Sequence, residues 1–179
     1  KYLVDTTQGT VEFAEGSSTV ENINPADDTA ADYNNVIISG TVKLAGNINT
    51  KGSFTVSQAL DGNSKALNIG TKLTTTATIT DVTTLSVNGD ASIGADITTS
   101  GSQKYQGKVT LTQDVTLKAK NNITFEDNAT ITGASYNLTL DNDSTHQADY
   151  DLNKDVTVKS LTANIATGKK LSIPSPVVI

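Results

Sequence analysis

Apolar and polar residues alternate along most of the chain in very short runs. Between Gly101 and Ile131 four such runs follow one another: Val109-Thr110-Leu111, Val115-Thr116-Leu117, Ile123-Thr124-Phe125 and Ala129-Thr130-Ile131. Each reads apolar, threonine, apolar, the period-two pattern of a strand that buries one face. Asn, Asp, Gly, Gln or Lys stands between them, so the chain turns after nearly every triplet. A three-residue strand cannot hold a core alone. Stacked as the sides of a coil, the triplets point their apolar pairs inward and pass their backbone bonds to the next turn. The pattern predicts an all-β fold: one right-handed parallel β-helix of about eight turns over the whole chain, with an antiparallel β-sandwich as the alternative. Val109, Leu111, Val115, Leu117, Ile123 and Phe125 are expected inside, and Thr110, Thr116 and Thr124 outside.

The same signal runs through the rest of the chain. Val36-Ile37-Ile38, Val42-Lys43-Leu44, Phe54-Thr55-Val56, Leu67-Asn68-Ile69, Leu85-Ser86-Val87, Leu138-Thr139-Leu140 and Val156-Thr157-Val158 all fit it. Two polar sections, around 22–35 and 141–155, read as loops leaving the coil. No sustained 3.6-residue period marks a helix, and the Thr and Asn density opposes one. Ala31-Asp32-Tyr33-Asn34 recurs as Ala148-Asp149-Tyr150-Asp151, an offset of 117 residues (31 to 148). Nearby matches at that offset predict turns of roughly 20 to 25 residues and a rod about 40 Å long.

Composition narrows the function more than the fold. Only 36% of the 179 residues are hydrophobic and 4% aromatic, which suits a thin aliphatic core drawn out along an axis better than a globular one. The net charge is −6 and every basic residue is lysine. That balance lacks the basic footprint of nucleic-acid binding and disfavours anionic membrane surfaces. No apolar run reaches the roughly 20 residues of a spanning helix, so direct membrane insertion is not expected. Lys1 to Val4 does not open a signal peptide, so any export signal is expected outside this chain. There is no Cys, which removes disulfides and thiolate metal sites and suits a chain exported unfolded.

Candidate chemistry is sparse. Asp141, Asp143, Asp149 and Asp151 are weak calcium candidates, because carboxylates on neighbouring corners offer the oxygen ligands that Ca²⁺ prefers. Asx residues at corners more commonly bond to backbone in turns, so no metal or other cofactor is assigned. A glycosidase needs two carboxylates roughly 5 to 9 Å apart, with aromatics for the sugar. Eight scattered aromatic residues and no Trp make a poor setting for one. His146, the one histidine, has no Ser or Cys partner in view, so no catalytic residue is assigned. Thr-rich Leu73 to Thr80 invites an ice-binding ladder, but Lys, Asn and Ser interrupt the pattern elsewhere. Asn122, Asn128, Asn137 and Asn142 begin N-x-[ST] tripeptides, which arise readily in a chain this rich in Asn and Thr.

Gly9-Thr10-Val11-Glu12-Phe13, Tyr33 to Gly40 (YNNVIISG) and Thr41 to Ile48 (TVKLAGNI) resemble repeats of large bacterial surface proteins. Leu85 to Leu117 resembles the repeats of filamentous-haemagglutinin-like exoproteins and autotransporters. The resemblance implies a parallel β-helix stalk on the cell surface or secreted, used in adhesion. Asn24-Pro25-Ala26 is only a fragment of the Asn-Pro-Asn motif of the export-recognition domain, so the chain reads as stalk. The expected function is a non-enzymatic spacer or adhesive segment whose partner is a surface receptor or glycan of a host or neighbouring cell. A carbohydrate-active β-helix enzyme and a self-assembling extracellular filament subunit are the alternatives. For the last, Val177, Val178 and Ile179 are the candidate edge, with copies of the chain as partners end to end.

Overall fold

A computed structural model of the chain describes residues 9–14, 18–20, 31–173 and 177–179. The first two turns contain β1 (Thr10–Phe13), β2 (Ser18–Val20), β3 (Ala31–Tyr33), β4 (Asn35–Ile38), β5 (Val42–Leu44) and β6 (Ile48–Thr50). Then come β7 (Ser53–Val56), β8 (Leu60–Ile69), β9 (Lys72–Thr75), β10 (Ile79–Val87), β11 (Asp90–Ile93), β12 (Ile97–Thr99) and β13 (Gln103–Tyr105). The last part holds β14 (Val109–Leu111), β15 (Val115–Ala119), β16 (Asn122–Phe125), β17 (Ile131–Asp141) and β18 (Asp149–Leu152). It closes with β19 (Val156–Ala163), β20 (Leu171–Ser172) and β21 (Val177–Val178). All twenty strand pairings among the described residues are parallel.

The pairings sort into three columns, one for each side of the coil. The first runs β1, β4, β7, β9, β11, β14, the start of β17, the start of β19, and β21. The second runs β2, β5, the starts of β8 and β10, β12, β15, and the ends of β17 and β19. The third runs β3, β6, the ends of β8 and β10, β13, β16, β18 and β20. Seven stacking steps run through the second and third columns and eight through the first, against an expected eight turns. The fold is a parallel β-solenoid, and the sandwich alternative, which needs antiparallel strands, is excluded.

Turn length differs from the expectation. From Val36 through Phe54, Leu73 and Ala91 to Val109 the register advances by 18 or 19 residues per step. Steps lengthen towards the end of the chain, where Ile123 lies opposite Tyr150. The Ala-Asp-Tyr repeat is consequently not a structural superposition. Both copies lie in the third column, but the register carries Ala31 to Tyr150 and Tyr33 to Leu152, two residues out of step. Of the two expected loops, residues 21–30 lie outside the described part, and Ala31–Tyr33 and Asn35–Ile38 are strands. Within 141–155, Asp149–Leu152 is strand β18, because Tyr150 and Leu152 continue the inward lines of the third column.

Inward positions form a continuous core. Val109, Leu111, Val115, Leu117, Ile123 and Phe125 are all buried, and Thr110, Thr116 and Thr124 lie on the outer side, half-buried. Each fully buried aliphatic contributes about 1.5 to 3 kcal/mol. Tyr105 and Phe125 stack at 5.1 Å between centroids with planes 15° apart. Four strands, β8, β10, β17 and β19, cross a corner without breaking. The bends in β8 and β10 place Asn63, Ser64 and Asp81 at φ of 47°, 58° and 52°. Asn and Asp tolerate this left-handed backbone better than other side chains. Asn63 gains further support by donating from its amide nitrogen to Leu44 O at 2.8 Å. At the corner before β11 the layers approach so closely that a Cβ on Gly89 would run into the Thr71 carbonyl. That carbonyl accepts a bond from Asp90 N at 3.0 Å.

Some core positions are polar. Thr75 and Thr99 are buried, and neither hydroxyl has a hydrogen-bond partner. A buried unpaired hydroxyl costs about 1–3 kcal/mol. Thr75→Val and Thr99→Val keep the shape and remove that cost, so each should raise the unfolding free energy by about 1 kcal/mol. Urea midpoints at unchanged slope check this, and a lowered midpoint in both variants would refute it.

Candidate functional site

Corner side chains build the outer surface, and their main task is to tie neighbouring turns together. Asn35 Oδ1 accepts from Ser53 N at 2.8 Å, and Asn47 Oδ1 from Ala66 N at 2.9 Å. Asp90 Oδ1 accepts from Lys108 N at 2.9 Å, and Asp96 Oδ1 from Thr116 N at 2.7 Å. Asp114 Oδ1 takes Asn137 N at 2.8 Å, and Asp149 Oδ1 takes Lys170 N at 2.8 Å. In every case the carboxylate or amide oxygen crosses to the backbone of the following turn. The sequence suggested Asx residues serving their own turns. These bonds, one coil further on, require a register that no local pattern supplies.

Between β17 and β18 residues 142–148 leave the coil as a loop. There Lys118 Nζ lies 3.0 Å from Asp141 Oδ2 and 3.1 Å from Asp143 Oδ2. Asp141 also accepts from Asn164 Nδ2 at 2.6 Å, and these two contacts hold its carboxyl below the usual range, that of Asn164 first. Asp143 Oδ1 accepts from Thr145 N at 2.7 Å, the Thr145 hydroxyl at 2.8 Å and His146 N at 2.7 Å. These donors, the Thr145 backbone foremost, push its carboxyl far below the usual range. His146 Nδ1 lies 3.0 Å from Asp143 Oδ1 and 2.8 Å from the Thr145 hydroxyl.

The four calcium candidates therefore do not converge. Asp141 and Asp143 share a lysine, and Asp143 closes its own loop. Asp149 holds the next turn, and Asp151 lies on β18. Among the described residues no three His, Cys, Asp or Glu side chains form a group suited to a metal ion. Two clefts open on this part of the surface. One, of about 460 Å³, lies between the loop (Asn142, Asp143, Ser144, Gln147) and the segment Ala163 to Ala166. The other, of about 240 Å³, is lined by Asn122, Thr124, Asp149, Tyr150, Asp151, Lys170 and Ser172. Both offer hydroxyls, amides and carboxylates for polar contacts. Neither presents an exposed aromatic face, since Tyr150 is buried and its hydroxyl donates to Asn164 O at 3.1 Å.

Of the candidate edge Val177, Val178 and Ile179, the first two pair with β19 in the first column, Val177 opposite Val156. Val178 and Ile179 are 53% and 75% exposed. No helix among the described residues is long and apolar enough to cross a membrane. Compared with known proteins, the chain matches no family model, no curated protein and no solved structure.

Acid should loosen the surface ties. Asp143 and Asp114 both have carboxyls held below their ordinary range, Asp114 chiefly by the Asn137 backbone N–H. A depressed folded value means stabilisation that is complete above the unfolded value and lost as pH falls through the folded one. Unfolding temperature should therefore hold steady above about pH 5 and fall steadily below about pH 4. The gap between the native chain and Asp143→Asn should narrow over the same acid range. A gap that stays constant down to the acid limit would show that the carboxylate charge contributes nothing.

Proposed function

We propose that this chain is a non-enzymatic rod segment of a secreted or surface-attached bacterial protein, a stiff spacer whose polar flank contacts a cell-surface receptor or glycan. The observation that carries the reading is the unbroken stacking of the three columns. Every step is bonded by backbone, and corner Asx residues add bonds to the next turn at many steps. A solenoid bonded in this way resists bending, and each turn contacts only its neighbours, so length can be extended without redesigning a core. The resemblance of Gly9 to Phe13, Tyr33 to Ile48 and Leu85 to Leu117 to repeats of filamentous-haemagglutinin-like and autotransporter exoproteins supports adhesion as the purpose.

The test is to display the chain on otherwise non-adherent cells and measure their retention on epithelial monolayers and glycan-coated surfaces. Retention above that of cells displaying an unrelated rod of equal length is expected. Incubation with acidic and neutral polysaccharides supplies the opposing result. Product release abolished by Asp149→Asn or Asp151→Asn would replace the spacer with a carbohydrate-active enzyme.

A further inference from the structure

Polar side chains on the outer face of the third column are bonded in some turns and idle in others. One outward line of that face includes Asn49, Asn68, Lys104, Thr124, Asp151 and Ser172, each lying over its neighbours in other turns. Asn68 Nδ2 donates to Asn49 Oδ1 at 2.8 Å, and Lys104 Nζ lies 2.8 Å from Glu126 Oε1. The side chains of Thr124, Asp151 and Ser172, by contrast, bond to no other described residue. Nor does that of Asn122, which shares the outward side of β16 with Thr124.

These unused groups gather in the cleft of about 240 Å³. The register sets Asn122 opposite Asp149, Thr124 opposite Asp151, and Asp151 opposite Ser172. Neighbouring turns stand about 4.8 Å apart, and residues two apart on one strand about 6.6 Å. Asp149 and Asp151 both face outward because Tyr150 and Leu152 are buried, so the cleft opens on the flank of the solenoid and not along its axis. Asp149 is half engaged: its Oδ1 accepts from Lys170 N at 2.8 Å, while its Oδ2 lies 4.0 Å from Lys169 Nζ, beyond hydrogen-bond reach. Two carboxylates outnumber the one ammonium of Lys170 in this lining, so phosphate, sulfate and acidic sugars are repelled. Tyr150 is buried and no other apolar side chain lines the cleft, so a lipid or an apolar peptide side chain has nothing to pack against. A free carboxylate accepts two hydroxyls at once, and the amide, hydroxyls and ammonium add both donors and acceptors.

We infer that this cleft, between β16, β18 and the stretch entering β20, binds a neutral hexopyranose unit of a glycan, with Asp151 as the principal acceptor. Adjacent ring hydroxyls donate to the two Asp151 oxygens, and a hydroxyl on the opposite edge donates to Asp149 Oδ2. Asn122, Thr124 and Ser172 bond the hydroxyls between them. The volume suits one sugar ring, being smaller than the clefts that hold drug-sized ligands. Without an aromatic face to stack on, one site binds at about millimolar strength. The inference rests on the reading of the polar flank as the contacting surface, and names what that flank recognises.

The experiment is an NMR titration of the ¹⁵N-labelled 179-residue chain with the methyl glycosides of mannose, galactose and glucose, in the presence of EDTA. At least one should shift the amide signals of Asn122, Thr124, Asp151 and Ser172 saturably, and glucuronate should bind at least about tenfold more weakly. Asp151→Asn should raise Kd about tenfold, the loss of a charge-assisted pair of bonds. Thr124→Lys should abolish the shifts with unchanged circular dichroism, because Lys104 already stands on the same line one turn earlier and the new ammonium would occupy Asp151. Asp61→Asn, which removes a surface pair with Lys43 far from the cleft, should leave Kd unchanged. No saturable shift with any glycoside overturns the inference, as does glucuronate binding of equal strength, or binding that survives both cleft substitutions. Retention of displaying cells on glycan-coated surfaces separates the two readings. Retention without glycoside binding defeats the site and leaves the adhesive reading standing, whereas glycoside binding without retention does the reverse.

Discussion

Phe125→Ala should lower the free energy of unfolding by about 3 to 5 kcal/mol, the largest single effect expected in this chain. The ring is fully buried and stacks on Tyr105, and Leu152 lies opposite it in the next turn. Removing it leaves a cavity walled by three successive layers of the third column. A solenoid has no distant elements to collapse inward, because each layer touches only the layers beside it. The damage should therefore be local as well as large. Amide exchange should accelerate in β13, β16 and β18 and remain near native in β4 and β7. Uniform acceleration throughout would mean that the rod unfolds as one unit, and would defeat the nearest-neighbour account.

Gln103→Leu should cost about 2 to 4 kcal/mol although it makes the core more apolar. Gln103 is completely buried. Its amide nitrogen donates to Ile97 O at 3.1 Å and to Lys118 O at 2.8 Å, and its Oε1 accepts from the Tyr105 hydroxyl at 2.9 Å. Leucine leaves that hydroxyl, in a position that burial already makes harder to ionise, without its acceptor. It also removes a side-chain tie between strands β12, β13 and β15. Tyr105→Phe alone strands Oε1 in the same way. In the double variant neither orphan remains, so its loss should be clearly smaller than the sum of the two single losses. Additive losses, read from urea unfolding, would show that the two side chains are not coupled.

The alternating triplets determined the fold class without help from tertiary structure. An apolar-Thr-apolar run has one dry and one wet face in any parallel coil, so Val109 to Phe125 could be assigned to inside and outside from residue types alone. Tertiary structure decided what depends on register. Turns proved 18 or 19 residues long in the middle of the rod, shorter than the spacing of similar motifs suggested. Thr75 and Gln103 point inward solely because of their place in their strands, which composition does not reveal. Asp90, Asp96 and Asp114 read as ordinary turn residues until the next layer brings its N–H groups within reach. Asp141 and Asp143, only weak calcium candidates in the sequence, both lie against Lys118, a residue of an earlier turn. Local alternation fixes which way a side chain faces, whereas its partner is chosen by how far the chain travels before it returns.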